Sequence, residues 1–176
     1  MPEEFDFSIE RSINGEELFR GSGSLERLAW LNKCVPGASF FFLQDGEFSK
    51  LVFQEAADSF VNGQFIAAIV LGFSFIERTI AGRLSHVGEK SLARDGRSEE
   101  LFRAAVQRGW LTQPEFGSLE ALRSIRNPIA HYRDPLDKNR PEVRAVLQAK
   151  TPRLMLEDDA KVVLQAAIRL LAKTAI

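Results

Sequence analysis

The chain has few of the residues that build disulfides, metal centres and reactive sites. Its 176 residues include one cysteine, Cys34, two histidines and one tyrosine. A single cysteine excludes an internal disulfide, disfavours a thiolate metal site and is typical of a reducing compartment. No zinc, calcium or nucleotide-binding motif is present, so we expect neither a bound metal nor an organic cofactor.

Long apolar runs are also missing. The longest, residues 65–76, has 12 residues and includes Gly72 and Ser74. It is too short to cross a bilayer and predicts a buried core helix instead. The N-terminus is acidic and has no apolar signal core, which disfavours secretion. We therefore expect a cytoplasmic protein without a membrane partner.

The overall composition is that of a soluble globular protein, with 45% apolar and 27% charged residues and a net charge of −1. Fourteen phenylalanines predict a core rich in aromatic packing. The charge is unevenly distributed: residues 1–20 carry a net charge of −4, and residues 123–153 a net charge of +5. The basic stretch indicates either an anionic ligand or an ordinary solvated surface.

Helical periodicity dominates from Asp45 onward and strand patterns are nearly absent, which predicts an all-α antiparallel helical bundle. Asp45 is the expected N-cap of the first long helix, and residues 89–96 and 133–141 are expected loops. We assign residues 1–44 to a partly irregular N-terminal extension and 45–176 to the bundle. Helices are predicted at 24–33, 45–61, 64–86, 98–109, 112–127, 142–148 and from about 157 toward the C-terminus.

The most informative segment is Arg126-Asn127-Pro128-Ile129-Ala130-His131. It places an imidazole, which titrates near neutral pH, beside the fixed charges of Arg123 and Arg126, as phosphate chemistry requires. Pro128 is expected to kink or restart the helix. If the helix restarts, Asn127 is its N-cap and His131 lies in its first turn. Either arrangement predicts that Arg126 and His131 are close together.

Glu77 is the second candidate, because it follows an uncharged stretch, residues 64–76, in the most apolar predicted helix. A carboxylate at the edge of a core needs a partner, since an unpaired buried charge is costly. Two alternatives remain open: Glu77 pairs with Arg123 or Arg126 from a facing helix, or it reaches solvent beside Arg78.

The segment from Arg126 to His131 resembles the Arg-x4–6-His motif of the HEPN superfamily, in which a small polar residue such as Asn127 typically follows the arginine. The order of features is also similar over roughly residues 45–175: a central helix with an acid near its end, a later helix ending in the motif, and a final helix. The resemblance implies a bundle of about four to five core helices.

The resemblance further implies a metal-independent ribonuclease, often a toxin or defence protein, which works as a homodimer with paired motifs lining a cleft. By position, His131 would be the general acid or base at the ribose 2′-hydroxyl. Arg126 would hold the scissile phosphate, and Asn127 would orient the phosphate or the imidazole. Glu77 and Arg123 would support them, while Tyr132 and Arg133 either stack on bases or form the wall of the loop.

Three functions follow as hypotheses. The first is a HEPN-type endoribonuclease, with RNA as substrate and an antitoxin protein as a partner. The second is a non-catalytic module that uses the same bundle to bind RNA, a nucleotide or a protein. The third is a structural helical dimer, in which Glu77, Arg126 and His131 form a buried polar network that fixes the packing.

Overall fold

The computed structural model describes residues 23–35 and 46–173, and within these ranges the chain forms eight α-helices and no strand. The predicted all-α bundle is therefore confirmed. Asp45, the predicted N-cap, lies outside the described residues, and Gly46 precedes the second helix. The helices are α1 (Ser24–Cys34), α2 (Glu47–Val61), α3 (Phe65–His86), α4 (Lys90–Asp95), α5 (Ser98–Gln107), α6 (Gln113–Ala130), α7 (Pro141–Leu147) and α8 (Pro152–Ala172).

The helix α3 lies at the centre of the fold, as its apolar sequence predicts. A tight turn, in which Gly63 has a φ of 74°, connects it to α2, and it packs against α2, α4, α5, α6 and α8. Its length and mean hydropathy of 1.6 would also suit a membrane span, but half of its most apolar window is buried inside the bundle. Here, then, α3 serves as the core helix.

Phenylalanines fill the centre of the bundle, in agreement with the aromatic core predicted from composition. Phe60, Phe73, Phe75 and Phe102 are fully buried. The rings of Phe73 on α3 and Phe102 on α5 are 6.0 Å apart at their centroids and meet edge to face, an arrangement favoured by the aromatic quadrupole. This contact fixes α5 against the middle of α3.

The helix α1 matches the helix expected at residues 24–33 and is the described part of the N-terminal extension. Its Leu31 belongs to the main hydrophobic core, and α1 packs against α2. The division of the chain at residue 44 stays a prediction.

Two sequence predictions about the connections were wrong. The expected loop at residues 89–96 contains the six-residue α4. The last helix begins at Pro152 rather than near Glu157, because Thr151 is a good N-cap: its hydroxyl accepts a hydrogen bond from the N–H of Leu154. The acids at 157–159 therefore lie beyond the first turn. Asp159 is instead buried and bonded by both Nη atoms of Arg144 at 2.7 Å.

The predicted restart of the helix at Asn127-Pro128 was also wrong, because α6 continues through Pro128 to Ala130. Pro128 has no N–H to donate to the carbonyl of Ser124. Ser124 is exposed, so solvent can satisfy that carbonyl, and only one helical hydrogen bond is lost so near the helix end. Asn127 is consequently a helical residue and not an N-cap.

Close packing of α3 on α8 depends on Gly72, since a Cβ there would lie 2.9 Å from a methyl group of Val163. We predict that Gly72→Val lowers the free energy of unfolding by about 1–3 kcal/mol through overpacking. Urea denaturation followed by circular dichroism measures this. Gly117, exposed on α6 with open space around it, is the control: Gly117→Ala should raise stability by about 0.5–1 kcal/mol. Equal effects at both sites would contradict the packing argument.

Candidate functional site

A polar network joins α3, α5 and α6 at Glu77. Nη2 of Arg126 donates to both carboxylate oxygens of Glu77 at 3.2 Å, and the Ser98 hydroxyl donates to Oε1. The side chains of Arg126 and Glu77 are 18% and 23% exposed. The Arg126 guanidinium also lies 4.9 Å from the centroid of the Phe73 ring, within cation–π range. The network thus holds Arg126 at the edge of the core.

This geometry decides between the two alternatives for Glu77: it pairs with an arginine of the facing helix, and that arginine is Arg126. Arg123 is bound elsewhere. Its Nη2 lies 2.5 Å from Glu120 and 3.8 Å from Glu99, and the hydrogen bond to Glu120 raises the pKa of Arg123. Arg123 therefore contacts the ends of two acidic side chains rather than Glu77.

His131 lies at the C-terminal end of α6, where the backbone turns to an extended conformation and its N–H donates to the carbonyl of Asn127 at 2.9 Å. The side chain is exposed. Five residues along a helix correspond to a rotation of roughly 140°, so Arg126 faces α3 while His131 projects from another side. Across residues 23–35 and 46–173, no hydrogen bond joins the two side chains.

The residues after His131 form an exposed segment. Tyr132 is 88% exposed and Arg133 is exposed as well. The backbone of this segment is held in place by Arg140, whose Nη1 donates to the carbonyl of Arg133 at 3.1 Å. Asn127, by contrast, is half-buried on α6. The structure therefore brings Arg126 to Glu77 and leaves His131, Tyr132 and Arg133 together at the surface.

Most of the positive charge of residues 123–153 is neutralised inside the fold. Ion pairs with Glu or Asp are formed by Arg123, Arg126, Arg140, Arg144 and Lys150. Of the remaining cations between 123 and 150, Arg133 and Lys138 are exposed and form no ion pair with any described residue. Fewer unpaired cations are thus available near His131 than the net charge of this stretch suggested.

A cavity of about 310 Å³ adjoins the network at Glu77. Its lining is Glu77, Arg78, Ala81, Ala93, Gly96 and Leu101. Ser98 and Phe73, the remaining partners of Glu77 and Arg126, are not recognisable from the sequence, because neither residue type stands out without the tertiary contact. Among the described residues, no group of acids, histidines and cysteine is placed to hold a metal ion.

No family model matches this chain, and no curated protein and no solved structure does either.

A double-mutant cycle tests the importance of the network. We predict that Glu77→Gln and Arg126→Met each destabilise the protein and that their coupling energy is about 2 kcal/mol, because each single change leaves a half-buried polar group without its partner. The exposed pair Glu99–Arg103 is the control, for which about 0.3–0.5 kcal/mol of coupling is expected. A coupling between Glu77 and Arg126 no larger than the control would show that the pair does not stabilise α6 on α3.

The hydrogen bonds of Glu115, at the start of α6, predict that the protein loses stability in acid. Glu115 accepts from the N–H of Thr112 at 2.8 Å and from Lys173 at 2.5 Å. The hydrogen bond from Lys173, then that from Thr112, lowers the pKa of Glu115 from 4.5 to about 2. The stabilisation is therefore present above pH 4.5 and lost as the pH falls toward 2.

We predict that Glu115→Gln lowers stability at neutral pH by less than about 1 kcal/mol, since the ion pair is partly exposed. The difference from wild type should shrink between pH 4.5 and 2, measured by thermal melting across that range. A difference that stays constant down to pH 2 would contradict the assignment.

Proposed function

We propose that this protein is a metal-independent endoribonuclease of the HEPN type, which acts as a homodimer. The observation that carries the proposal is the placement of His131 at the exposed end of α6, followed directly by exposed Tyr132 and Arg133. An acid–base group, a ring that can stack on a base and a cation that can bind phosphate are thus consecutive in the chain and all exposed.

In the proposed reaction the His131 imidazole takes the proton of a ribose 2′-hydroxyl. The resulting oxyanion attacks the neighbouring phosphorus, the bond to the 5′-oxygen breaks, and that oxygen takes up a proton. The product carries a cyclic phosphate. A positioned imidazole contributes on the order of 10²- to 10⁴-fold to such a rate, and the reaction needs no metal.

Arg126 is suited to bind the phosphate while it stays anchored. Only its Nη2 contacts Glu77; its Nε and Nη1 make no hydrogen bond to any described residue and can donate to phosphate oxygens. Glu77 and Phe73 restrict the guanidinium, which lowers the entropy lost on binding. Asn127 lies between this group and His131 along α6 and would orient the phosphate or the imidazole.

Two features support the proposed homodimer. Arg126 and His131 face different sides of α6, so a shared cleft requires the motif of a second copy. Among the described residues, the four most exposed large apolar side chains all lie within residues 132–147, at Tyr132, Leu136, Val146 and Leu147. Exposed apolar surface of this kind is typical of an interface. An antitoxin partner and a cytoplasmic location stay predictions.

The Glu77–Arg126 pair favours one alternative, a non-catalytic binding module. Arg126, half-buried and paired with a carboxylate, would then only stabilise the fold. In such a module residues 131–133 would bind RNA without cleaving it, and RNA affinity would survive replacement of His131.

We predict that His131→Ala abolishes RNA cleavage without changing the melting temperature, because the imidazole is exposed. Purified protein should cleave a labelled RNA in the presence of EDTA and release products with cyclic phosphate ends. His86→Ala, exposed at the end of α3, is the matched control and should retain full activity. Cleavage that persists in His131→Ala would overturn the catalytic role; binding without any cleavage by wild type would favour the binding module.

Arg133→Ala should weaken RNA binding similarly for all sequences and reduce the slope of log affinity against log salt by about 1, because one phosphate contact is lost. Fluorescence anisotropy at several salt concentrations measures both quantities. An unchanged slope would exclude Arg133 from the RNA surface.

A further inference from the structure

The side chains of Arg27 and Arg153 both reach the turn that precedes α3. A Cβ at Gly63 would lie 2.8 Å from Nη2 of Arg153 and 3.4 Å from Nη2 of Arg27, so the two nitrogens are within about 6 Å of each other. Both guanidinium groups also lie near the Phe65 ring, at 5.1 and 5.6 Å from its centroid. Two positively charged guanidinium groups therefore lie beside the same residue of the turn, Gly63.

Within the described residues, no carboxylate neutralises this pair. Arg27 is 5% exposed; its Nε donates to the carbonyl of Val61 at 3.0 Å, but its buried Nη2 has no hydrogen-bond partner. Arg153 forms no ion pair with a described residue. A buried guanidinium without a counter-charge is costly, and an anion bound on the open side of Gly63 would supply that charge.

The N-terminus of α3 adds a third source of positive potential at the same point. The N–H groups of Phe65, Ile66 and Ala67 precede the first helical hydrogen bond, which Ala68 donates to the carbonyl of Gln64. The N-cap Gln64 makes no side-chain hydrogen bond to them. The macrodipole of the 22-residue α3 favours negative charge at this end.

An open cavity of about 450 Å³ adjoins this turn and is lined by Gly63, Gln64, Phe65, Ile66, Ala67, Arg153 and Leu156. Arg27 contacts Gly63 but does not line the cavity. We propose that this cavity binds the phosphate group of a small molecule. The three free N–H groups of α3 and the Arg153 guanidinium would bind the phosphate oxygens, and the charge of Arg27 would stabilise the dianion from behind Gly63. Glu77 is twelve residues along α3, about 18 Å away, so this site is separate from residues 126–133.

The lining favours a small molecule over a nucleic-acid backbone. Apart from Arg153 and Gln64, the cavity walls are apolar, and Ile66 and Leu156 stand beside the phosphate position. An apolar wall next to a cluster of phosphate-binding groups suits a phosphate ester with an apolar or aromatic body. A nucleoside 5′-monophosphate is of this chemical class.

The test measures binding to the full-length protein by isothermal titration calorimetry, with inorganic phosphate and adenosine 5′-monophosphate as ligands and adenosine as the phosphate-free comparison. We expect phosphate and the nucleotide to bind, with the nucleotide the tighter, and adenosine not to bind. Arg153→Ala should weaken binding at least about tenfold, the typical effect of losing one charge-assisted hydrogen bond. Because Arg153 is exposed, this variant should fold normally.

Arg169→Ala is the matched control, since Arg169 is also exposed on α8 but does not line the cavity; it should bind like wild type. Three outcomes would overturn the proposal. They are an absence of phosphate binding at millimolar concentration, equal losses in Arg153→Ala and Arg169→Ala, and binding that appears only when the acids at positions 3, 4, 6, 10, 16 and 17 are changed to amides. The last result would indicate that the acidic N-terminal segment of the protein, and not a small molecule, is the ligand of the cavity.

Discussion

The carboxylate of Glu77 interrupts the apolar surface of α3, and this partly buried negative charge requires a positively charged partner. Arg126 reaches it from α6 and Ser98 from α5, so one acid bonds to side chains of two other helices. Burial makes such a pair sensitive to geometry, because either partner left alone would carry an unpaired charge in a poorly solvated place. The pair therefore fixes the rotation of α6 about its own axis.

That rotation determines what the end of α6 presents to solvent. With Arg126 turned toward α3, His131 and the residues after it project away from the core, where they form the exposed segment 131–133. The same interaction that stabilises the bundle thus separates the arginine from the histidine within one chain. In the proposed homodimer the two residues would meet across two copies, and the exposed apolar side chains between 132 and 147 would form the contact surface.

The middle of α3, at Glu77, and its N-terminus differ in how the nearby charges are balanced. Around Glu77 and along residues 123–150, every arginine except Arg133 forms an ion pair with an acid. At the N-terminus of α3, Arg27 and Arg153 adjoin Gly63 and form no ion pair with a described carboxylate. Since local potential and not net charge attracts an anion, the short basic turn is a stronger candidate for binding a small anion than the longer basic stretch that stood out in the sequence.

The sequence by itself determined the helical class, the central position of α3 and most helix ends, because apolar periodicity, caps and glycine turns are local signals. It also identified Glu77 as a charge in need of a partner. Only the tertiary structure decided that the partner is Arg126 and not Arg123, that Ser98 and Phe73 complete the network, and that Arg27 and Arg153 meet at Gly63. These depend on how helices distant in sequence are rotated against each other, which the packing of the whole core sets and no local pattern encodes.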